Sequence, residues 1–139
     1  MDPIDERGDC VFCRIDQMKV IAENELAFAV RDLRPVTALH TLVLPKRHAA
    51  SFFDLGEHET VAIERLVRSQ RHDILARDPS VEGFNVGVNV GAVAGQTIFH
   101  CHYHLIPRRK GDVPDPRGGV RWVIPSRAYL EATGHENGA

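Results

Sequence analysis

Cysteine and aromatic residues are both scarce in this chain: three cysteines in 139 residues, and 6% Phe, Trp and Tyr together. So few cysteines cannot build a disulfide framework at this size and fit a reducing compartment, so the cytoplasm is the expected location. Long hydrophobic runs are missing as well. None approaches the roughly 20 residues that a membrane-spanning helix requires, and residues 1–7 are too acidic and polar for a secretory leader. Nor does one sign of charge dominate, because 17 basic and 19 acidic residues leave a formal charge of −2. That balance offers no basic field for nucleic acid and no cationic stripe for a membrane, so neither partner is expected. No internal repeat is visible. What remains is a single domain, long enough to bury a core.

What the chain does have is histidine in an unusual order. His100, His102 and His104 alternate along the short apolar stretch 98–107. Side chains on a strand point to opposite faces with a period of two, so three imidazoles at this spacing line one face. Neighbours on that face lie roughly 6.5–7 Å apart, from about 3.3 Å of rise per residue. The intervening Phe99, Tyr103 and Leu105 are large and apolar, which predicts one buried face and one face equipped for chemistry. An exposed polar face on an ordinary strand would not need three imidazoles.

The rest of the chain reads as alternating strands around one helix. Residues 20–23 and 26–31 form two strands with a tight turn at Asn24-Glu25, and 40–45 form a third, strongly apolar one. Asp54 with Glu57 resembles a capping box, and Val61, Ile63, Leu66, Val67 and Ile74 recur on one helical face to Arg77. Asp78-Pro79-Ser80 stops that helix. Residues 83–89 are a fourth strand, 91–95 a glycine-flanked loop, and 98–107 the histidine strand. Gly, Pro and Asp exclude regular structure at 110–119, and 126–131 reads as a short helix. Residues 1–9 are expected to be a flexible tail, 10–125 the domain, and 126–139 a short helix and tail. The pattern implies an α+β fold with a mostly antiparallel sheet.

The string His100-Cys-His-Tyr-His-Leu-Ile106 resembles the His-φ-His-φ-His-φ-φ signature of the histidine triad family of nucleotidyl hydrolases and transferases. Gly95-Gln96-Thr97 before it, Asn89 at the preceding strand's end, Asp32, and the run from His40 to His48 resemble the same family in order and spacing. The resemblance covers about residues 10–108. It implies a five-stranded, mostly antiparallel sheet with one long helix, and a homodimer. It also implies attack at the α-phosphorus of a nucleotide derivative, with adenine the expected base.

In that reading His102 is the nucleophile and forms a nucleotidyl-histidine intermediate that water resolves. A neutral imidazole suits this role near pH 7, since its ordinary pKa is about 6.5. His40, His100 and His104 would tune it and donate to phosphoryl oxygens. By the same resemblance Asp32 holds the ribose hydroxyls, and Asn89, Gly95, Gln96 and Thr97 meet the phosphate or leaving group. Phe12, Ile15 and Leu33 are expected to wall a base pocket.

Cys10-x-x-Cys13 alone is compatible with a redox pair or a metal site. The resemblance pairs it with His48 and His100 as a closed, structural zinc site of two thiolates and two imidazoles. Whether magnesium accompanies the substrate is left open. His58, His72 and His135 read as solvated, as do Arg108, Arg109 and Lys110 at a strand end. Trp122 and the 111–121 loop, with Asp112, Asp115, Arg117 and Arg121, are candidates for leaving-group contacts. Three functions compete: a dinucleoside polyphosphate or adenylyl hydrolase, a purine nucleoside phosphoramidase, and a non-catalytic nucleotide-binding dimer. Gly-Gln-Thr before the triad is closer to the fragile histidine triad branch, while Thr97 still offers the hydroxyl that amine departure favours.

Overall fold

The computed structural model describes residues 10–128. The expected tails at 1–9 and 129–139 therefore lie outside the described residues, with His135 and most of the expected 126–131 helix. Of that helix only the 3₁₀ turn Pro125–Arg127 falls within them. Strands β1 (Ala22–Glu23), β2 (Ala27–Arg31) and β3 (Thr41–Pro45) precede helix α1 (Glu57–Arg77), and β4 (Val81–Val88) and β5 (Tyr103–Arg109) follow it. All pairings are antiparallel, in the order β1-β2-β3-β5-β4. Asn24 builds the first hairpin: its Oδ1 accepts the Leu26 and Ala27 N–H groups at 3.2 and 3.0 Å. Its amide nitrogen also donates to the Ala62 carbonyl at 2.9 Å, tying the turn to α1.

Strand alternation divides the core into two layers. Ala27, Ala29 and Val43 face α1 and pack on Ala62, Ile63 and Leu66. Leu105 continues that layer with Ile74 and Val81. On the opposite face Phe28, Val30, Leu42 and Leu44 pack against Cys10 and Phe12. The register pairs Leu42 with His104, so His104 points away from α1, toward the N-terminal segment. Among the described residues no helix is long and apolar enough to cross a membrane.

Several boundaries differ from the sequence reading. The Asp54–Glu57 capping box is not formed. Asp54 instead accepts from Ser51 N–H (3.2 Å) and closes the 3₁₀ turn Phe52–Asp54. The helix itself is opened by Glu59, which accepts from Gly56 N–H at 2.9 Å and is gripped by Arg47 at 2.8 and 3.0 Å. Val61 is 42% exposed and lies off the buried stripe of Ile63, Leu66 and Ile74. Strand β4 starts two residues before the expected Gly83 and ends at Val88, one short of Asn89.

The largest correction concerns the histidine strand. β5 begins at Tyr103, so His100 and His102 precede the ladder and do not share one regular strand face with His104. Long-range anchors replace ladder bonds there. Cys101 N–H donates to the Ala49 carbonyl at 2.7 Å, and the fully buried His100 ring reaches the Pro45 carbonyl at 2.8 Å. Residues 49 and 45 are distant in sequence, which is why local periodicity could not show this.

Truncating the fully buried Ile63 to Ala is expected to cost about 2–5 kcal/mol, whereas Val61→Ala on the same helix should cost under about 1 kcal/mol. Urea unfolding of the two variants measures the difference, and equal losses would contradict the assigned helix face.

Candidate active site and metal-ligand cluster

The His102, His40 and His100 rings each meet a backbone group whose donor or acceptor character is fixed, so their protons can be placed. The His102 Nδ1 lies 2.9 Å from the His100 carbonyl, which can only accept. His102 therefore carries its proton on Nδ1 and presents a lone pair on Nε2. The Val36 N–H donates to His40 Nδ1 at 3.1 Å, which leaves His40 protonated on Nε2. That Nε2–H donates to His104 Nδ1 at 2.9 Å, so His104 in turn carries its proton on Nε2. The His102 and His104 ring centroids are 5.2 Å apart, as are those of His40 and His104.

The loop from β2 to β3 places Asp32 and His40 against this group. Asp32 Oδ1 accepts from Arg34 N–H at 2.8 Å, and Oδ2 lies 3.5 Å from His40 Nε2. Leu39, just before His40, has φ 71°, a left-handed conformation that costs energy for a branched side chain. The loop is stapled to β5 to hold that shape: Thr37 Oγ1 donates to the Pro107 carbonyl at 2.7 Å and Arg109 to the Ala38 carbonyl at 3.0 Å. Arg109 also binds Asp78 at 2.9 Å. Arg108 and Arg109 are thus locked in ion pairs, not solvated as the strand-end pattern suggested.

Burial lowers the pKa values of all four imidazoles. His104 moves furthest, to about 4, through burial first and then through the neighbouring His102 and His40, with Asp32 opposing. His40, His100 and His102 shift the same way, desolvation again leading. Cys101, buried between two of them, is pushed up to about 12 by burial and stays a thiol.

His100 turns toward a different group. Its Nε2–H is given to the Pro45 carbonyl, and the free lone pair on Nδ1 faces Cys10 Sγ at 3.5 Å and Cys13 Sγ at 3.4 Å. His48 Nδ1 lies 3.4 Å from Cys13 Sγ. The four ligand atoms all fall within 4.8 Å of one another. A tetrahedron with metal–sulfur bonds near 2.3 Å and metal–nitrogen bonds near 2.05 Å has sulfur–nitrogen edges of about 3.5 Å. The donor set thus has the chemistry and the spacing of a four-ligand metal site.

Between β4 and the histidines, Gly91 and Gly95 take φ values of 90° and 97°, conformations open to glycine, around the 3₁₀ turn Ala92–Ala94. Gln96 is buried and its amide is fully used: Oε1 accepts from Gly91 N–H at 2.8 Å, and Nε2 donates to the Ala50 and Ile98 carbonyls at 2.7 and 3.2 Å. It braces the loop, with its amide bonded to the backbone and not aimed at a phosphate or leaving group as expected from the resemblance. Thr97 is exposed. The β4–β5 ladder ends at the Val88–Tyr103 pair, and Asn89 follows directly after it. Phe12 lies with its ring centroid 5.1 Å from that of His102, and Ile15 packs on the same core. Leu33 is almost fully exposed beside Asp32, on the rim of a cleft of about 820 Å³ that also takes in Val11 and Val30. Leu39 and Thr37 were not singled out from the sequence, because a strained loop and its staples leave no local signature.

The low pKa of His104 has a sign that can be tested. Between about 4 and the ordinary 6.5 the unfolded chain binds the extra proton, so this group's stabilisation is complete above that window and lost as pH falls through it. The melting temperature should therefore drop between pH 7 and pH 4.5, and His104→Asn should drop less. Parallel curves for the two proteins would contradict the burial of His104.

Comparison with known proteins gives the chain its relatives. The HIT domain model matches residues 15–111. An uncharacterized HIT-like protein of Mycoplasma genitalium is 39% identical over 106 residues, covering 73% of this chain and 74% of the relative. The adenylylsulfatase HINT3 of Arabidopsis thaliana is 33% identical over 110 residues, 76% of this chain and 55% of that protein. The crystal structure of a HIT family protein from Bacillus anthracis superposes with a TM-score of 0.70 at 39% identity, over 75% of this chain and 76% of that one. The matched segment takes in β1 to β5 and every imidazole of the cluster beside His102, and by it the chain belongs to the HIT, or histidine triad, family.

Proposed function

We propose that this chain is a nucleotide-binding hydrolase that cleaves at the α-phosphate of dinucleoside polyphosphates or adenylylated compounds through a nucleotidyl-histidine intermediate. The observation that supports it best is the hydrogen bond from His102 Nδ1 to the His100 carbonyl, which leaves the Nε2 lone pair directed away from the backbone. In the first step Nε2 bonds to phosphorus as the bond to the leaving group breaks, and the departing atom takes a proton from solvent. Water then hydrolyses the nitrogen–phosphorus bond, restoring His102 and releasing the nucleoside monophosphate. His104, protonated on Nε2 and fed by His40, donates to phosphoryl oxygen as charge develops. Asp32 offers its carboxylate to the ribose diol, with Val11, Val30 and Leu33 on the side where the base would lie. Asn89, Gly95 and Thr97 line the phosphate side, and Gln96 holds that loop in shape. Adenine is the expected base, and magnesium is assigned no role here.

The Cys10, Cys13, His48 and His100 set fits zinc, which would supply structural cross-linking only, since four protein ligands leave no open position. Within this scheme His100 orients the nucleophile through its carbonyl while its ring belongs to the metal set. The edge strand β4, eight residues long and bearing the half-exposed Val86, is the surface assigned to a homodimer.

His102→Ala should lower turnover of adenylylated substrates by about 10³-fold or more and abolish the rapid-quench adduct. A near-full rate would rule out covalent catalysis. Elemental analysis of protein purified without chelator should give about one zinc per chain, and Cys10→Ser with Cys13→Ser should lose both the metal and several degrees of melting temperature. An unchanged melting temperature in that variant would contradict a structural metal. Light scattering is expected to give about twice the 15.5 kDa chain mass, and a monomer at assay concentration would exclude the dimer.

A further inference from the structure

The turn that delivers His40 is one that a branched L-residue disfavours. His40 N–H donates to the Thr37 carbonyl at 3.1 Å, closing the four-residue turn 37–40, and Leu39 sits at its third position with φ 71°. A positive φ there is the mark of a type II turn, whose usual occupant is glycine. Leucine is retained by its side chain, which packs with Ile74, Val81 and Leu105 on the α1 side of the sheet. Glycine would supply the turn without this contact.

Everything that fixes His40 depends on that turn. Its carbonyl accepts from Asp32 N–H at 2.9 Å and its Nδ1 from Val36 N–H at 3.1 Å, while its Nε2–H reaches His104 Nδ1 at 2.9 Å. A Leu39 relaxed to negative φ would redirect the chain at His40 and break this set.

A series of hydrogen bonds from the helix holds the strained peptide. Thr41, fully buried and opposite Arg31 in the β2–β3 register, donates from Oγ1 to the Leu39 carbonyl at 2.8 Å. The same oxygen accepts from Arg31 Nη1 at 2.6 Å, and a hydroxyl that receives from a cation is the stronger donor for it. Arg31 is anchored in turn on α1, by Gln70 Oε1 at 3.0 Å and Asp73 Oδ2 at 3.5 Å, and Arg77 fixes Asp73 at 2.8 Å. This tether reaches the residue before His40 from the α1 side of the sheet, opposite the face that carries His104.

We propose that Arg31 and Thr41 are positioning residues: through the Leu39 carbonyl they hold the strained turn, and with it the single His40 tautomer that donates to His104. The effect on turnover rests on the hydrolase reading above, whereas the effect on the two rings rests on geometry alone.

The test is a double-mutant cycle in the full-length protein. Thr41→Val keeps the side-chain shape and removes the hydroxyl. Nitrogen–proton correlation spectra at neutral pH should then show His40 and His104 spread over both tautomers. In the same variant kcat on the phosphoramidate of AMP should fall about tenfold with KM little changed. Thr41→Ser should restore both readouts. Leu39→Gly adopts the turn unaided and should keep the native tautomers, and adding Thr41→Val to it should cost less than about twofold in kcat. Arg31→Met retains the hydroxyl, should act as a weaker Thr41→Val, and is read in its place if Thr41→Val does not fold. Native tautomers with native kcat in these variants, or an undiminished loss on the Leu39→Gly background, would overturn the proposal. Wild-type protein that turns over no adenylylated substrate would overturn the hydrolase reading instead, and the spectra would still decide the role of Arg31 and Thr41.

Discussion

The structure turns on one residue that is used three ways. The ring of His100 donates from Nε2 to the Pro45 carbonyl, offers Nδ1 to two thiols, and its own backbone carbonyl takes the His102 proton. Each use restricts the others. Because the ring is buried between β3 and the N-terminal segment, the backbone at residue 100 has little freedom, and the carbonyl that orients His102 inherits that rigidity. A change at Cys10 or Cys13, far along the chain, would therefore be felt at the His102 ring through one peptide unit.

The sheet explains why the remaining groups meet there. One face is covered by α1 along its length, so chemistry is confined to the other. On that face the N-terminal segment packs over β2 and β3, while residues 113–125 fold over β4 and β5. His102, His104 and His40 lie between these two covers. Two clefts border the sheet: one lined by Val11, Val30 and Leu33 together with Arg14, Lys19 and Arg31, and one beyond Ile106 lined by Val36, Val113 and Trp122.

Much of this was readable from residue order. Helix α1 ended at the expected Arg77, and β3 needed only the loss of His40 from its start. The alternating histidines pointed to a site by their spacing, whereas the Cys10/Cys13 pair joined His48 and His100 only through the family resemblance. Strand periodicity failed where long-range bonds outweighed local pattern. His100 and His102 left the ladder for Ala49, Pro45 and the thiols, partners that lie tens of residues away. Gln96 illustrates the same limit: its position in a Gly-Gln-Thr string was legible, but its inward turn depends on the Ala50 carbonyl. Leu39 carried no signal at all, since a branched residue is the last choice for a positive φ.

The His100 carbonyl holds the His102 proton on Nδ1 and so frees Nε2. Two-bond nitrogen–proton correlation spectra of histidine-labelled protein at neutral pH read this directly. The expected spectrum shows a protonated Nδ1 and a bare Nε2 for His102, with the opposite pattern for His40 and His104. A His102 ring carrying its proton on Nε2, or exchanging freely between the two nitrogens, would contradict it.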